Sequence, residues 1–532
     1  MTRAFDLPGR SAVHATEGMV ATSHALASSS ALRVLQEGGN AVDAAIAAVA
    51  VLCVVEPGST GIGGDCFAIV TEPDGTTTGL NGSGRSAAGA HLDWYLEQGI
   101  TNLEAHPVHS ITAPGAIRGW EKLLNAQGTM GFDRVLRDAI NYAENGFPIS
   151  PRVGRDWSGV EDDLAKNEGA AHNFLQGGKA PAVGSMHAVP TLAKTLRAVA
   201  KNGSDAFYAG AVATEIANTV QGLGGFLSED DLAAVSADWV TPITTSYGGY
   251  DIHEIPPNGV GITALIMLNL MEKVGARDMG SHSALRQHME IECARLAYSV
   301  RDAYVSDIDF MTVSLDTLLS DAYATELAKG FDPDHRNNDI KLPTIPHADT
   351  VYLTVVDRDL RAVSFINSVY ETFGSRIATK DSGIALQNRG ACFVVKEGHP
   401  NAIGPSKRPL HTIIPGMATK NGKSAFSFGV MGGAYQPIGQ AHVLSNMIDH
   451  GFDPQEAVDY PRVFWGDEEG TDALKAEAGV TDEVKQGLCD RGHTVVASDS
   501  PLGGGQIISI DHERGVMVGG SDPRKDGQAQ GY

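Results

Sequence analysis

A threonine heads a strand-like run, His347-Ala348-Asp349-Thr350-Val351-Tyr352-Leu353-Thr354-Val355-Val356-Asp357, and a second hydroxyl, Ser368, lies in the next apolar run, Ala362-Val363-Ser364-Phe365-Ile366-Asn367-Ser368-Val369-Tyr370. A threonine hydroxyl is a weak nucleophile until a base stands beside it. Cutting the chain between Asp349 and Thr350 would draw that base from the threonine itself, as its freed α-amino group. The reference pKa of such a group, about 7.7–8.0, suits proton transfer near neutrality. Most threonines in alternating strands merely occupy a pleat, so this run acquires meaning from its surroundings.

The elements that must position the two hydroxyls are readable as pattern. Strands are expected over 350–356, 362–369, 424–428, 506–510 and 515–518, each an apolar or alternating run between turns. A helix is expected over 25–35, with Leu26, Leu32 and Leu35 on its apolar face and Gly38-Gly39 as its stop. Asn40 can cap the next helix, with Asp43 in the first turn, where the dipole favours negative charge. A further helix is expected over 287–304. There Ile291, Ala294, Leu296, Ala297 and Val300 form the apolar face, and Arg295, Arg301 and Asp302 are directed to solvent. Pattern alone reaches a mixed α/β chain with strands half-buried beneath helices.

Composition narrows the function classes. The 532 residues contain no Ser/Gly tract, Pro-rich spacer or charge block, so one interwoven unit is expected. The 62 glycines suit a tight fold with sites lined by backbone. A net charge of −24 argues against nucleic acid and anionic membrane surfaces as partners. The N-terminal residues lack an apolar h-region, and the longest apolar run, 41–55, is interrupted by Asp43, so neither a secretory signal nor a membrane span is expected. The five cysteines are odd in number and scattered, which fits reduced thiols and a cytoplasmic location. No H-x-H or H-E-x-x-H motif occurs, and neither a metal nor a cofactor is expected.

Several short segments recur in a fixed order along the chain: Glu37-Gly38-Gly39-Asn40-Ala41-Val42-Asp43, Gly61-Ile62-Gly63-Gly64-Asp65, Gly84-Arg85, Ala113-Pro114-Gly115, Ile255-Pro256-Pro257, Thr372-Phe373-Gly374, Ser382-Gly383-Ile384, Lys407-Arg408-Pro409, Gly432-Gly433 and Ser521-Asp522-Pro523-Arg524. In this order, around the threonine strand, they resemble the γ-glutamyltranspeptidase family of N-terminal-nucleophile hydrolases. The resemblance implies an α+β fold, a four-layer αββα sandwich, made as one proenzyme. Cleavage would give a large subunit, 1–349, and a small subunit, 350–532, which stay together and can pair further as a dimer.

The same resemblance assigns roles. Thr350 would be the nucleophile in both self-cleavage after Asp349 and turnover. Ser368 stands where the family has a threonine hydrogen-bonded to that nucleophile, and Gly432 and Gly433 match the pair whose N–H groups form the oxyanion hole. Arg85 matches the arginine that grips the substrate carboxylate, by two parallel hydrogen bonds.

Elsewhere the chain departs from the family pattern. Cys392 occupies the acidic position that holds the substrate ammonium. His411-Thr412 replace two carboxylate-binding serines, and Tyr370 replaces an asparagine. The segment between Phe393 and Lys407 is too short for the lid loop of some members. A carboxylate anchor without an ammonium anchor fits a small amidated acid such as oxamate. The Asn388–Phe393 and Lys407–Pro415 segments also resemble the oxamate-amidohydrolase-type branch, which serves nitrogen recovery in purine breakdown. Three alternatives remain open: a γ-glutamyltransferase or glutathione hydrolase, an acylase for bulkier amides, and an unprocessed binding protein without activity.

Overall fold

Two seven-stranded sheets stacked face to face carry the chemistry-bearing segments. The computed structural model describes residues 9–340, 350–465 and 472–532; Asp349 lies outside them. The first sheet runs in the order Gln528–Gly531, Met19–Thr22, Val351–Val356, Ala362–Ser368, Asp65–Thr71, Thr77–Gly82, Asp238–Val240. The second runs Val13–Ala15, Val516–Ser521, Gly504–Asp511, Lys423–Met431, Gly416–Lys420, Tyr250–Glu254, Ile243–Tyr247. Every pairing within them is antiparallel.

Helices cover the outer face of each sheet. Ala25–Gln36 and Ala41–Val55 pack on the first, and Gly261–Lys273 and Gln436–Ile448 on the second. The four-layer αββα order expected from the resemblance is therefore present. Ala41–Val55 has every residue buried, and its alanines let it lie close to both the sheet and its helical neighbours. Asn40 caps it as expected: its Oδ1 accepts from the Val42 and Asp43 N–H groups, while Asp43 Oδ2 accepts from the Asn40 N–H at 2.9 Å.

Both sheets mix strands from before and after Thr350. Val351–Val356 is wedged between Met19–Thr22 and Ala362–Ser368, and the C-terminal Gln528–Gly531 closes the sheet edge against Met19–Thr22. A chain cut ahead of Thr350 would keep its two pieces joined by these ladders.

Two sequence expectations need correction. On the helix Ala284–Tyr304, Arg295 and Arg301 are buried rather than solvent-directed. Arg295 donates to Glu292 at 2.6 Å, and Arg301 pairs with Asp302 and lies 4.4 Å over the Tyr298 ring. The helix is covered on several faces, so apolar periodicity cannot locate a solvent side, and the buried charges persist because each has a partner. The small sheet of Val463–Trp465, Leu474–Ala476 and Val495–Ala497 also went unread, its three-residue strands being too short for alternation to show.

The interface between the sheets fixes the register that matters for the site. Thr354 Oγ1 donates to Ser427 Oγ at 2.6 Å, and the Tyr352 ring lies directly against Gly429. Two steps back along one strand meet two steps forward along the other. Continued once more, this register would bring Thr350 toward Met431, which Gly432 follows. A Cβ on Gly429 would come within 2.4 Å of the Tyr352 ring. Gly429→Ala is therefore expected to lower stability by about 1–3 kcal/mol, the usual cost of overpacking. Chemical denaturation checks this, and an unchanged midpoint would contradict the register.

Candidate active site

Thr350 precedes Val351–Val356, and the antiparallel register, Val351 opposite Asn367, carries it opposite Ser368. Both residues are fully buried, and Thr350 Oγ1 stands 3.1 Å from Ser368 Oγ. Ser368 Oγ accepts from the Tyr370 N–H at 2.9 Å and from Arg389 Nη2 at 3.3 Å. Two donors on its lone pairs bias the Ser368 hydroxyl hydrogen toward an acceptor, and the Thr350 oxygen is in reach. Such a contact lowers the cost of charge on a nucleophilic oxygen.

Arg389 was overlooked in the sequence reading, although it sits inside the segment whose Cys392 drew attention. It begins the short 3-10 turn Arg389–Cys392 and is fully buried. Its Nη1 donates to Thr412 Oγ1 at 2.8 Å and lies 3.9 Å from Cys392 Sγ. The guanidinium lies 4.4 Å over the Tyr370 ring, a cation–π contact. Tyr370 reaches this position with a φ of 82°, uncommon outside glycine. Its contacts, to Thr412, Cys392, Ser368 and Tyr370, include no carboxylate, and its Nε has no partner among the described residues. A buried cation held by hydroxyls, a thiol and a ring is costly without an anion beside it.

A cavity of about 850 Å³ opens beside this cluster. Tyr370, Cys392, Thr412, Leu410 and Ala434 form part of its wall, with Glu104, Arg301, Glu371 and His399 further round. The expected shortness of the 393–407 segment has a visible consequence: Val394, His399 and Asn401 wall the cavity. Burial raises the Cys392 thiol, against the pull of Arg389, and burial raises the Tyr370 phenol well above its ordinary range, so both stay neutral.

Gly432 and Gly433 follow Met431 with φ of 127° and 55°, conformations open to glycine. A Cβ on Gly432 would also lie 2.8 Å from the Gly503 Cα. The turn they make leads to Ala434 at the cavity wall and on into the helix Gln436–Ile448. They follow directly on the strand Lys423–Met431, which packs across the sheets against Val351–Val356.

Two expected binding residues stand elsewhere. Arg85 Nη1 lies 3.4 Å from Asp307 and 3.1 Å from the Ser406 carbonyl, in a separate small groove with Asp231 and Val235. His411 is fully buried, with Nε2 3.1 Å from Asp65 Oδ2. Asp65 Oδ1 also accepts from the Gly84 and Gly115 N–H groups and from Gln387 Nε2, each at 2.9 Å. Burial, and next the nearby Arg389, lower the His411 imidazole to about 4, so it is neutral and donates to Asp65. Neither Arg85 nor His411 borders the cavity; nor do Thr350, Ser368 and Arg389, which are linked to its wall through contacts with Tyr370 and Thr412. Of the expected residues, Thr350, Ser368, Tyr370, Cys392 and Thr412 come together.

Ser368→Ala is expected to cut kcat at least roughly tenfold through loss of the hydroxyl contact, while Ser368→Thr, which keeps the hydroxyl, retains activity. Steady-state kinetics on the processed variants checks this. Equal kcat for Ser368→Ala and the parent would remove Ser368 from the chemistry.

Residues 27–532 match the family model described as gamma-glutamyltranspeptidase. The chain is 37% identical over 529 residues to the glutathione hydrolase-like YwrD proenzyme of Bacillus subtilis, covering 97% of this chain and 98% of that protein. It is 33% identical over 531 residues to the oxamate amidohydrolase proenzyme of Klebsiella pneumoniae, covering 97% and 99% respectively. The crystal structure of cephalosporin acylase from Bacillus halodurans superposes with a TM-score of 0.91 at 37% identity, covering 100% of this chain and 99% of that one. With fold, site geometry and these matches in agreement, the chain belongs to the gamma-glutamyltranspeptidase family of self-processing amidohydrolases.

Proposed function

We propose that this protein hydrolyses the amide of a small carboxylic acid such as oxamate, through an acyl-enzyme on Thr350, and releases ammonia. The observation that carries the reading is Arg389: a buried guanidinium without a carboxylate partner, one hydroxyl removed from Thr350. At most two hydrogen-bond lengths separate it from the attacking oxygen. That spacing suits a substrate whose carboxylate is bonded directly to the scissile carbonyl. A γ-glutamyl donor would bring its ammonium into the same region, against a fixed positive charge. The oxamate amidohydrolase relative from Klebsiella pneumoniae supports the same substrate class.

The chemistry follows in two parts. In maturation, the Thr350 hydroxyl attacks the Asp349 carbonyl, the acyl group shifts from nitrogen to oxygen, and water hydrolyses the ester. This yields the subunits 1–349 and 350–532. In turnover, the freed α-amine takes the hydroxyl proton as Thr350 Oγ1 attacks the amide carbon. The Gly432 and Gly433 N–H groups receive the oxyanion, a contact worth about 2.7–4 kcal/mol per donor in comparable sites. The C–N bond breaks, the α-amine returns its proton to the departing nitrogen, and ammonia leaves. Water, deprotonated by the same amine, then cleaves the ester and frees the diacid. Thr412 holds Arg389 in place, and Tyr370 supports its face.

Glutathione hydrolysis or γ-glutamyl transfer is the second reading. The cavity exceeds what oxamate needs, and the relative from Bacillus subtilis is named glutathione hydrolase-like. Among the described residues no helix is long and apolar enough to cross a membrane. All five cysteines are free thiols, which fits a reducing compartment such as the cytoplasm.

The test is a paired assay: ammonia release from oxamate beside glutamate release from glutathione. Oxamate is the expected substrate, and Arg389→Gln is expected to lower its kcat/KM by roughly a hundredfold or more, the scale of losing one side of a buried charge pair. Turnover of glutathione alone would overturn the reading.

A further inference from the structure

Glu371 follows Tyr370 and borders the same cavity, yet no step above uses it. It is only 6% exposed, and its Oε1 has no hydrogen-bond partner among the described residues. Its backbone is fixed, because its N–H donates to Asn388 Oδ1 at 3.1 Å. The cation nearest to it is Arg376, 3.4 Å from Oε2, and that guanidinium is shared with Asp163 at 3.7 Å. Burial raises its carboxyl to about 7, against the pull of Arg376 and with the help of Glu104, a second carboxylate on the cavity wall; a hydrogen bond from Asn388 and the more distant Arg389 oppose the rise without cancelling it. Arg301, another cation of the wall, is already bound to Asp302 at 2.7 Å. A buried carboxylate with an idle oxygen is costly unless a ligand engages it.

We propose that Glu371 holds a positively charged nitrogen on the amine portion of the substrate, so that the site favours amides whose departing amine carries a second, cationic group. This rests on the reading above, in which Arg389 fixes the acyl end. The two anchors are opposite in sign and lie on either side of Tyr370: its ring supports Arg389, and its carbonyl leads directly to Glu371. The acyl carboxylate turns inward to Arg389, the amine portion extends into the cavity, and its cationic end meets Glu371. That end is chemically unchanged. The scissile C–N bond breaks, the acyl carbon bonds to Thr350 Oγ1, and the hydroxyl proton travels through the α-amine to the departing nitrogen. In the reverse sense, the same contact would seat a cationic acceptor amine in place of water.

Two N-substituted oxamates of matched length test this: N-(2-aminoethyl)oxamate, which is cationic, and N-propyloxamate, which is neutral. Wild type is expected to favour the cationic compound by roughly tenfold in kcat/KM, and Glu371→Gln to bring that ratio to about one. No preference in wild type, or a preference that survives Glu371→Gln, would overturn the assignment. If the variant does not fold, inhibition of the wild-type enzyme by N-(2-aminoethyl)acetamide, which is cationic, against N-propylacetamide, which is neutral, gives the same comparison. Equal inhibition would again overturn it. Failure of the oxamate reading is separately visible as no turnover of oxamate itself. In that case the same two amine portions placed on a γ-glutamyl group test Glu371 on its own.

Discussion

The packing of one sheet on the other is the constraint from which the site follows. Tyr352 lies against Gly429 and Thr354 against Ser427, so the start of one strand is held at the end of another in the opposite sheet. In the proposed mechanism, a nucleophile and the backbone amides assigned to its oxyanion can then come from separate strands. Neither can drift, because the apolar residues between the sheets, among them Met19, Phe67, Ile366, Met431 and Ile508, are fully buried. The strand that follows Thr350 is clamped between Met19–Thr22 and Ala362–Ser368, so a chain cut ahead of Thr350 would stay joined through these ladders.

Around that frame, the proposed choice of substrate rests on electrostatics. Arg389 places a positive charge in a dry position beside Ser368, and its hydrogen-bond and ring contacts are to neutral groups, with the Glu371 carboxylate acting on it only at longer range. Tyr370 and Cys392, kept neutral by burial, leave the charge intact. Asp65 is nearby in the fold but is engaged by His411, Gln387 and two backbone N–H groups. On the proposed reading that separation matters, because a carboxylate paired with Arg389 would occupy the position assigned to the substrate's own.

How much of this was legible in the sequence depended on whether a role lies in the backbone or in side-chain direction. The strands holding Thr350 and Ser368 were readable from apolar alternation, and their facing positions are what adjacent antiparallel strands require. Gly432 and Gly433 were readable as a glycine turn, and both take positive φ there. Arg85 and His411 show where reading stopped. An aligned position does not fix which way a side chain turns, and His411 turns to Asp65, 346 residues earlier in the chain. Arg389 was invisible for a related reason, since its significance lies in which groups fail to surround it. The buried Arg295 and Arg301 erred in the same direction, because a helix covered on several faces has no solvent side for periodicity to reveal.

The most direct measurement is the intact mass and N-terminal sequence of the purified protein, beside Thr350→Ala. The account predicts two fragments from the wild type, the smaller beginning at Thr350, and a single uncut chain from the variant. A wild-type protein that stays full length, or a variant that is still cut at the same bond, would contradict Thr350 as the nucleophile.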